Sequence, residues 1–173
     1  MKHETYKEKE VQIENTKEDF NYWLNRPYIS RNTKLNLENA DILIVPVEGI
    51  RDIEYPLFPV KTEEVFSYFK KNLDEKTTID ICIEEKDYKE LALHYDLINI
   101  ATFIVKSVAL PIFINILSSY INEKIKNVND NDRAIRVKFI VQKKSGDSIK
   151  VSYEGKPEYF RDTIESIKEI KEG

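Results

Sequence analysis

Few residues in this chain are suited to chemistry. Its 173 residues include 4 glycines, one cysteine and 2 histidines. So few glycines leave little room for loops that cradle phosphate through bare backbone. A lone cysteine, Cys82, excludes an intramolecular disulfide and any cysteine-based zinc site. Two histidines, His3 and His94, leave little for imidazole chemistry, and no metal or cofactor is expected. The start, Met1 to Lys9, is charged and lacks the apolar stretch of a secretory signal, so a cytoplasmic location is the expectation. The formal net charge of -4 argues against a dedicated nucleic-acid binder.

What the chain does have is charge and apolar residues together, 34% and 41% of the total. That balance rules out global disorder and suits one domain over residues 1–173, with residues 1–15 as a flexible lead-in. The longest apolar stretch runs from Leu91 to Ile121, with no charge between Ser107 and Asn122. Lys106 splits it and Pro111 lies in it. Two helical pieces, 87–105 and 108–126, are expected, broken at Ser107 or Pro111.

Around that stretch the patterning is clearer. Thr16, followed by Glu18 and Asp19, suits the start of a short helix presenting Phe20, Trp23 and Leu24 and ending by Pro27. Arg31 to Asn39 reads as a loop or irregular strand. Ile42-Leu43-Ile44-Val45 suits an interior strand buried on both faces. Thr62 caps a helix with Glu63 and Glu64 in its first turn and Lys70 and Lys71 in its last. Ile79, Ile81 and Ile83 alternate with polar neighbours as a half-buried strand, completing a parallel strand–helix–strand unit. Ile135 to Val141 and Ile149 to Tyr153 alternate about Ser145-Gly146-Asp147 as a β-hairpin. Pro157 opens a last helix with the stripe Phe160, Ile164, Ile167. The expected fold is α+β, a mixed sheet of about four strands with packed helices and a hydrophobic helical segment at 91–126.

Several residues invite a functional reading. Asp41, Glu48, Asp52 and Glu54 flank the first apolar strand, where carboxylates can bind metal or act as acid and base, but no histidine accompanies them and a solvated rim is the simpler account. His94 has no nucleophile to serve. Cys82 matches no reactive motif. Arg136, Lys138, Lys143, Lys144, Lys150 and Lys156 gather on the hairpin, where a basic sheet face can meet phosphates or an acidic partner, or simply keep strand edges apart.

The order of elements from Thr62 onward resembles a small bacterial family, the effector-associated constant component. The corresponding segments are Thr62–Leu73, Ile79–Ile83, Leu91–Ile121, Ile135–Tyr153 and Pro157–Ile170, with Ser107, Ala109, Ser118 and Ser119 as the small residues of the apolar segment. The chain departs from that pattern by its N-terminal region, with the strand Ile42–Val45, and by few glycines and alanines. The resemblance implies a non-catalytic accessory subunit of a bacterial antiviral or conflict system, coupled to an effector enzyme encoded nearby, and carries no catalytic residues.

The leading expectation is therefore a binding or scaffolding component acting through a protein partner or self-association. A large apolar patch usually marks such a contact, and Ile104, Val108, Leu110, Ile112, Phe113 and Ile116 are its candidates. The alternative is a membrane-attached effector inserting a helix over 97–121. That length suffices for the roughly 20 residues a span needs. A central Lys such as Lys106 costs roughly 2.5–3.5 kcal/mol there. A small enzyme using Glu48 and Asp52 is the third reading.

Overall fold

The computed structural model describes residues 9–92, 97–126 and 133–171. The strands are β1 (Lys9–Thr16), β2 (Ile42–Val45), β3 (Phe58–Pro59), β4 (Ile79–Ile81), β5 (Glu90–Leu91), β6 (Leu97–Asn99), β7 (Thr102–Lys106), β8 (Ala134–Gln142) and β9 (Ser148–Gly155). The α-helices are α1 (Phe20–Leu24), α2 (Arg31–Leu37), α3 (Thr62–Asn72), α4 (Leu110–Tyr120) and α5 (Phe160–Glu165). Seven strands form one mixed sheet in the order β1-β9-β8-β7-β2-β4, with β6 also on β8. The fold is α+β, as expected, with a larger sheet than the four strands the patterning suggests.

The apolar strand β2 lies in the interior, all four residues fully buried between β4 and β7. It pairs in parallel with β4, and α3 lies between them in the chain. The hairpin forms as expected, with β8 and β9 antiparallel from Ile135↔Gly155 to Gln142↔Ser148. Its turn closes through the Gly146 amide donating to the Lys143 carbonyl at 2.9 Å, with Gly146 at φ +97°, which glycine adopts without strain.

The sheet has two different faces. One carries Ile42, Ile44, Phe103, Val105, Val137, Phe139, Val151 and Tyr153 against α3, α4 and α5. There the ring of Phe113 on α4 meets Phe103 at 5.0 Å and Phe139 at 5.3 Å. The opposite face carries Leu43, Val45, Cys82, Ile104 and Ile140 against Phe20, Trp23, Leu24 and Leu37 of α1 and α2.

Four expectations are corrected. Residues 91–126 are not two helices: β5, β6 and β7 occupy the first part, and a helix begins only at Leu110, with Pro111 in its first turn. Phe103-Ile104-Val105 is buried on both faces of the sheet, and such a strand is as continuously apolar as a buried helix. Lys106 ends β7, its ammonium 5.4 Å from the centre of the Phe20 ring. The span 97–121 is thus two strands and an 11-residue helix, and no described helix is long and apolar enough to cross a membrane.

From Lys9 the lead-in is a strand, paired with β9 over eight residues, Lys9↔Gly155 to Thr16↔Ser148. Its exposed, largely polar side chains hid it. Arg31–Leu37 is a helix, capped by Ser30 Oγ accepting from the Thr33 amide at 3.2 Å. It buries only Leu37, so no apolar stripe announced it. The caps also shift by a few residues. Asp19, not Thr16, caps α1, accepting from the Tyr22 amide at 2.8 Å. At α3 the Thr62 hydroxyl instead donates to the Pro59 carbonyl at 2.6 Å. Glu90 from β5 accepts there instead, from the Lys61 amide at 2.8 Å and the Glu63 amide at 3.4 Å.

Candidate functional site

The face that holds α1 and α2 is only half covered. Along β8, Arg136 is half-buried, Lys138 exposed and Ile140 fully buried, although all three point the same way. Cover therefore ends between Lys138 and Ile140. Beyond that line the face is polar. Arg136 lies beside Glu154 and Glu10, Lys138 beside Ser152 and Gln12, and Ile140 beside Lys150 and Glu14. Residues directly opposite in paired strands share a face, so these side chains form one surface.

At the border of covered and uncovered sheet lies a cleft of about 430 Å³. Trp23 of α1 and the segment after β2, with Val47, Glu48 and Ile50, wall it. Arg136, Lys138, Ile140 and Lys150 of the hairpin line it from the sheet. Asn99 and Thr102 complete the lining. Their presence together depends on a bulge. Leu97 opposes Ala134 and Phe103 opposes Phe139, so six steps on β6–β7 match five on β8. The extra residue breaks the alternation, and two residues at an odd spacing line one cleft.

Most charges at the cleft are engaged. Lys150 pairs with Glu18, and Arg136 with Glu154 at 3.2 Å. Glu48 is gripped by Arg26, Nε to Oε1 at 2.9 Å and Nη2 to Oε2 at 2.7 Å, and accepts from the Tyr28 hydroxyl at 2.6 Å. Burial and the bond to Glu48 push the Tyr28 phenol well above its usual range. The bond to Glu48 likewise raises the Arg26 guanidinium further, so Arg26 stays charged. Among the described residues Lys138 has no ion pair. The Trp23 indole Nε1 is buried and has no acceptor among them either.

The sequence candidates fall out as follows. Ile104 and Phe113 are fully buried, Leu110 and Ile116 nearly so, and Ile112 packs partly buried against the core. Of that patch only Val108, 72% exposed, stands on the surface. The apolar stretch is therefore core rather than contact surface, because sheet pairing and the α4 packing consume it. Glu48 is no solvated rim residue but part of a three-residue hydrogen-bonded cluster, while Asp52 is exposed. Cys82 is fully buried, its Sγ 3.7 Å from the Trp23 carbonyl. Burial pushes its thiol up to about 12. His94 lies outside the described residues. Among the described residues no group of three or more His, Cys, Asp or Glu is placed to hold a metal ion.

Of the hairpin cations, Arg136, Lys138 and Lys150 meet on the open face, and Lys143 and Lys144 lie in the turn. The cleft itself was missed. Its sequence signal was the polar stretch of β8, Arg136 and Lys138, giving way to Ile140 on the same face. Comparison with known proteins finds no family model, no curated protein and no solved structure that matches this chain.

Proposed function

We propose that this chain is a non-catalytic accessory or scaffolding component that works by protein–protein contact, and that its partner docks on the uncovered polar half of the sheet. The observation that supports this reading is the ordering of charge there. Glu10 and Glu14 stand on the outer strand β1, and Arg136 and Lys138 on the inner strand β8. An acidic column on β1 and a basic one on β8 thus flank the mixed column Lys150, Ser152 and Glu154 of β9. A partner with the reverse order, basic over β1 and acidic over β8, would fit in one orientation. Complementary charges of this kind set orientation and association rate more than raw affinity. The family resemblance adds a setting, an effector enzyme of a bacterial conflict system as the partner, and that setting rests on the resemblance alone.

The test is quantitative co-purification from the organism that encodes the chain. The tagged protein is compared with Lys138→Glu, Glu10→Lys and a control, Val108→Asp, each checked for native circular dichroism. A protein retained by the parent and by Val108→Asp, and depleted from both charge reversals, supports the reading. The same set of co-purifying proteins with all four overturns it.

A further inference from the structure

We propose that the cleft beside Trp23 binds a small organic anion, a carboxylate or phosphate monoester carried on an apolar ring or chain. This goes beyond the docking of a protein partner and stands without it.

The volume, about 430 Å³, lies within the range of small-molecule sites, roughly 300–1,000 Å³. The lining is of two kinds. Trp23, Val47, Ile50, Ile100 and Ile140 offer apolar surface to the body of a ligand. The polar part decides the sign of its charge. Five charged residues line the cleft: Glu18, Glu48, Arg136, Lys138 and Lys150. Glu18 is held by Lys150, Glu48 by Arg26 and Tyr28, and Arg136 by Glu154. Only Lys138 keeps its charge unpaired among the described residues, so the charge left for a ligand to meet is positive. A ligand cation would have to displace an existing pair, whereas an anion completes one.

Neutral groups add to this. The bulge after Asn99 brings the Asn99 amide and the Thr102 hydroxyl to the same cleft as Lys138. Both can donate hydrogen bonds to an anion. Trp23, which lines the cleft, holds a buried indole N–H with no acceptor among the described residues. That N–H is closed to solvent, so it serves as a reporter beside the cleft rather than as a ligand contact.

The chain has a single tryptophan, so its indole N–H gives one nuclear magnetic resonance signal. The isolated chain is titrated with phenyl phosphate, benzoate, inorganic phosphate and benzylamine while that signal is followed. A saturable shift with phenyl phosphate or benzoate, and none with benzylamine, is expected. The tighter of the two names the headgroup. Lys138→Gln should weaken binding about tenfold, the loss of one charge-assisted hydrogen bond. Lys144→Gln, in the hairpin turn, should leave it unchanged. No saturable shift with either aromatic anion overturns the proposal, as does an equal response to benzylamine. So do inorganic phosphate binding as tightly as phenyl phosphate, and undiminished affinity in Lys138→Gln. No partner enters this titration, so its failure leaves the co-purification test untouched, and the reverse holds.

Discussion

Arg26 holds Glu48 by two parallel hydrogen bonds, at 2.9 and 2.7 Å, and so ties the end of α1 to the segment that leaves β2. Tyr28 adds a third bond at 2.6 Å to the same carboxylate. The guanidinium in turn sits 4.8 Å from the centre of the Tyr22 ring. One wall of the cleft is thereby fixed, and Glu48 is committed to structure.

Glu48→Ala should therefore destabilise the fold by about 1–2 kcal/mol, the range for charged hydrogen bonds discounted for partial exposure. The Arg26 and Glu48 side chains are 29% and 26% exposed, which is why the larger cost of a fully buried pair does not apply. Urea midpoints for Glu48→Ala, Arg26→Ala and the double variant give the coupling directly. A coupling of about 1 kcal/mol is expected. A value of zero would make the pair incidental.

The apolar stretch divides into core and surface at single residues. Phe113→Ala should cost about 3–5 kcal/mol, because it empties the contact among Phe69, Phe103 and Phe139. Val108→Ala, in the 3-10 turn that leads into α4, should stay within about 0.5 kcal/mol. Equal losses in urea unfolding would mean that Val108 is covered.

Alkaline pH should weaken the fold. Burial raises the Cys82 thiol to about 12, and burial with nearby carboxylates raises the phenols of Tyr28, Tyr88 and Tyr120. Each group holds its proton more tightly folded than unfolded. Stability from this source is complete below the unfolded values, about 8.5 for Cys and 10 for Tyr. Above them the unfolded chain releases protons that the native one keeps, so stability falls with rising pH. Urea midpoints should be level from pH 7 to about 8 and decline beyond about pH 9. In the same series a thiol reagent at neutral pH should modify the unfolded chain and spare the native one. A level profile, or fast labelling of native Cys82, would contradict the burial.

Deleting residues 1–16 should do more than shorten a tail. β1 covers the outer edge of β9 over eight residues, and Glu18 beyond it pairs with Lys150. Without β1 the edge passes to β9, whose Ile149, Val151 and Tyr153 favour strand pairing between molecules. Size-exclusion chromatography should show larger species, and a monomer of undiminished stability would restore the flexible lead-in.

The sequence by itself determined the pieces whose periodicity is local. Ile42–Val45, the amphipathic α3 and the alternation of β8 and β9 form where the pattern places them, because burial follows from spacing; Phe160, Ile164 and Ile167 are buried as their stripe implies, but the last helix stops at Glu165. It also showed Cys82 to be without a reactive motif, while its burial is a matter of the fold. It could not determine what Thr102–Val105 becomes, because a strand buried on both faces and a buried helix have the same composition. Pairing with β2 and β8, remote in the chain, made that choice. β1 and α2 bury little of their own and exist through what they join. The cleft belongs wholly to the tertiary structure. Its Trp23, Glu48, Asn99 and Lys138 come from four separate segments, and a one-residue bulge decides which way two of its lining residues face.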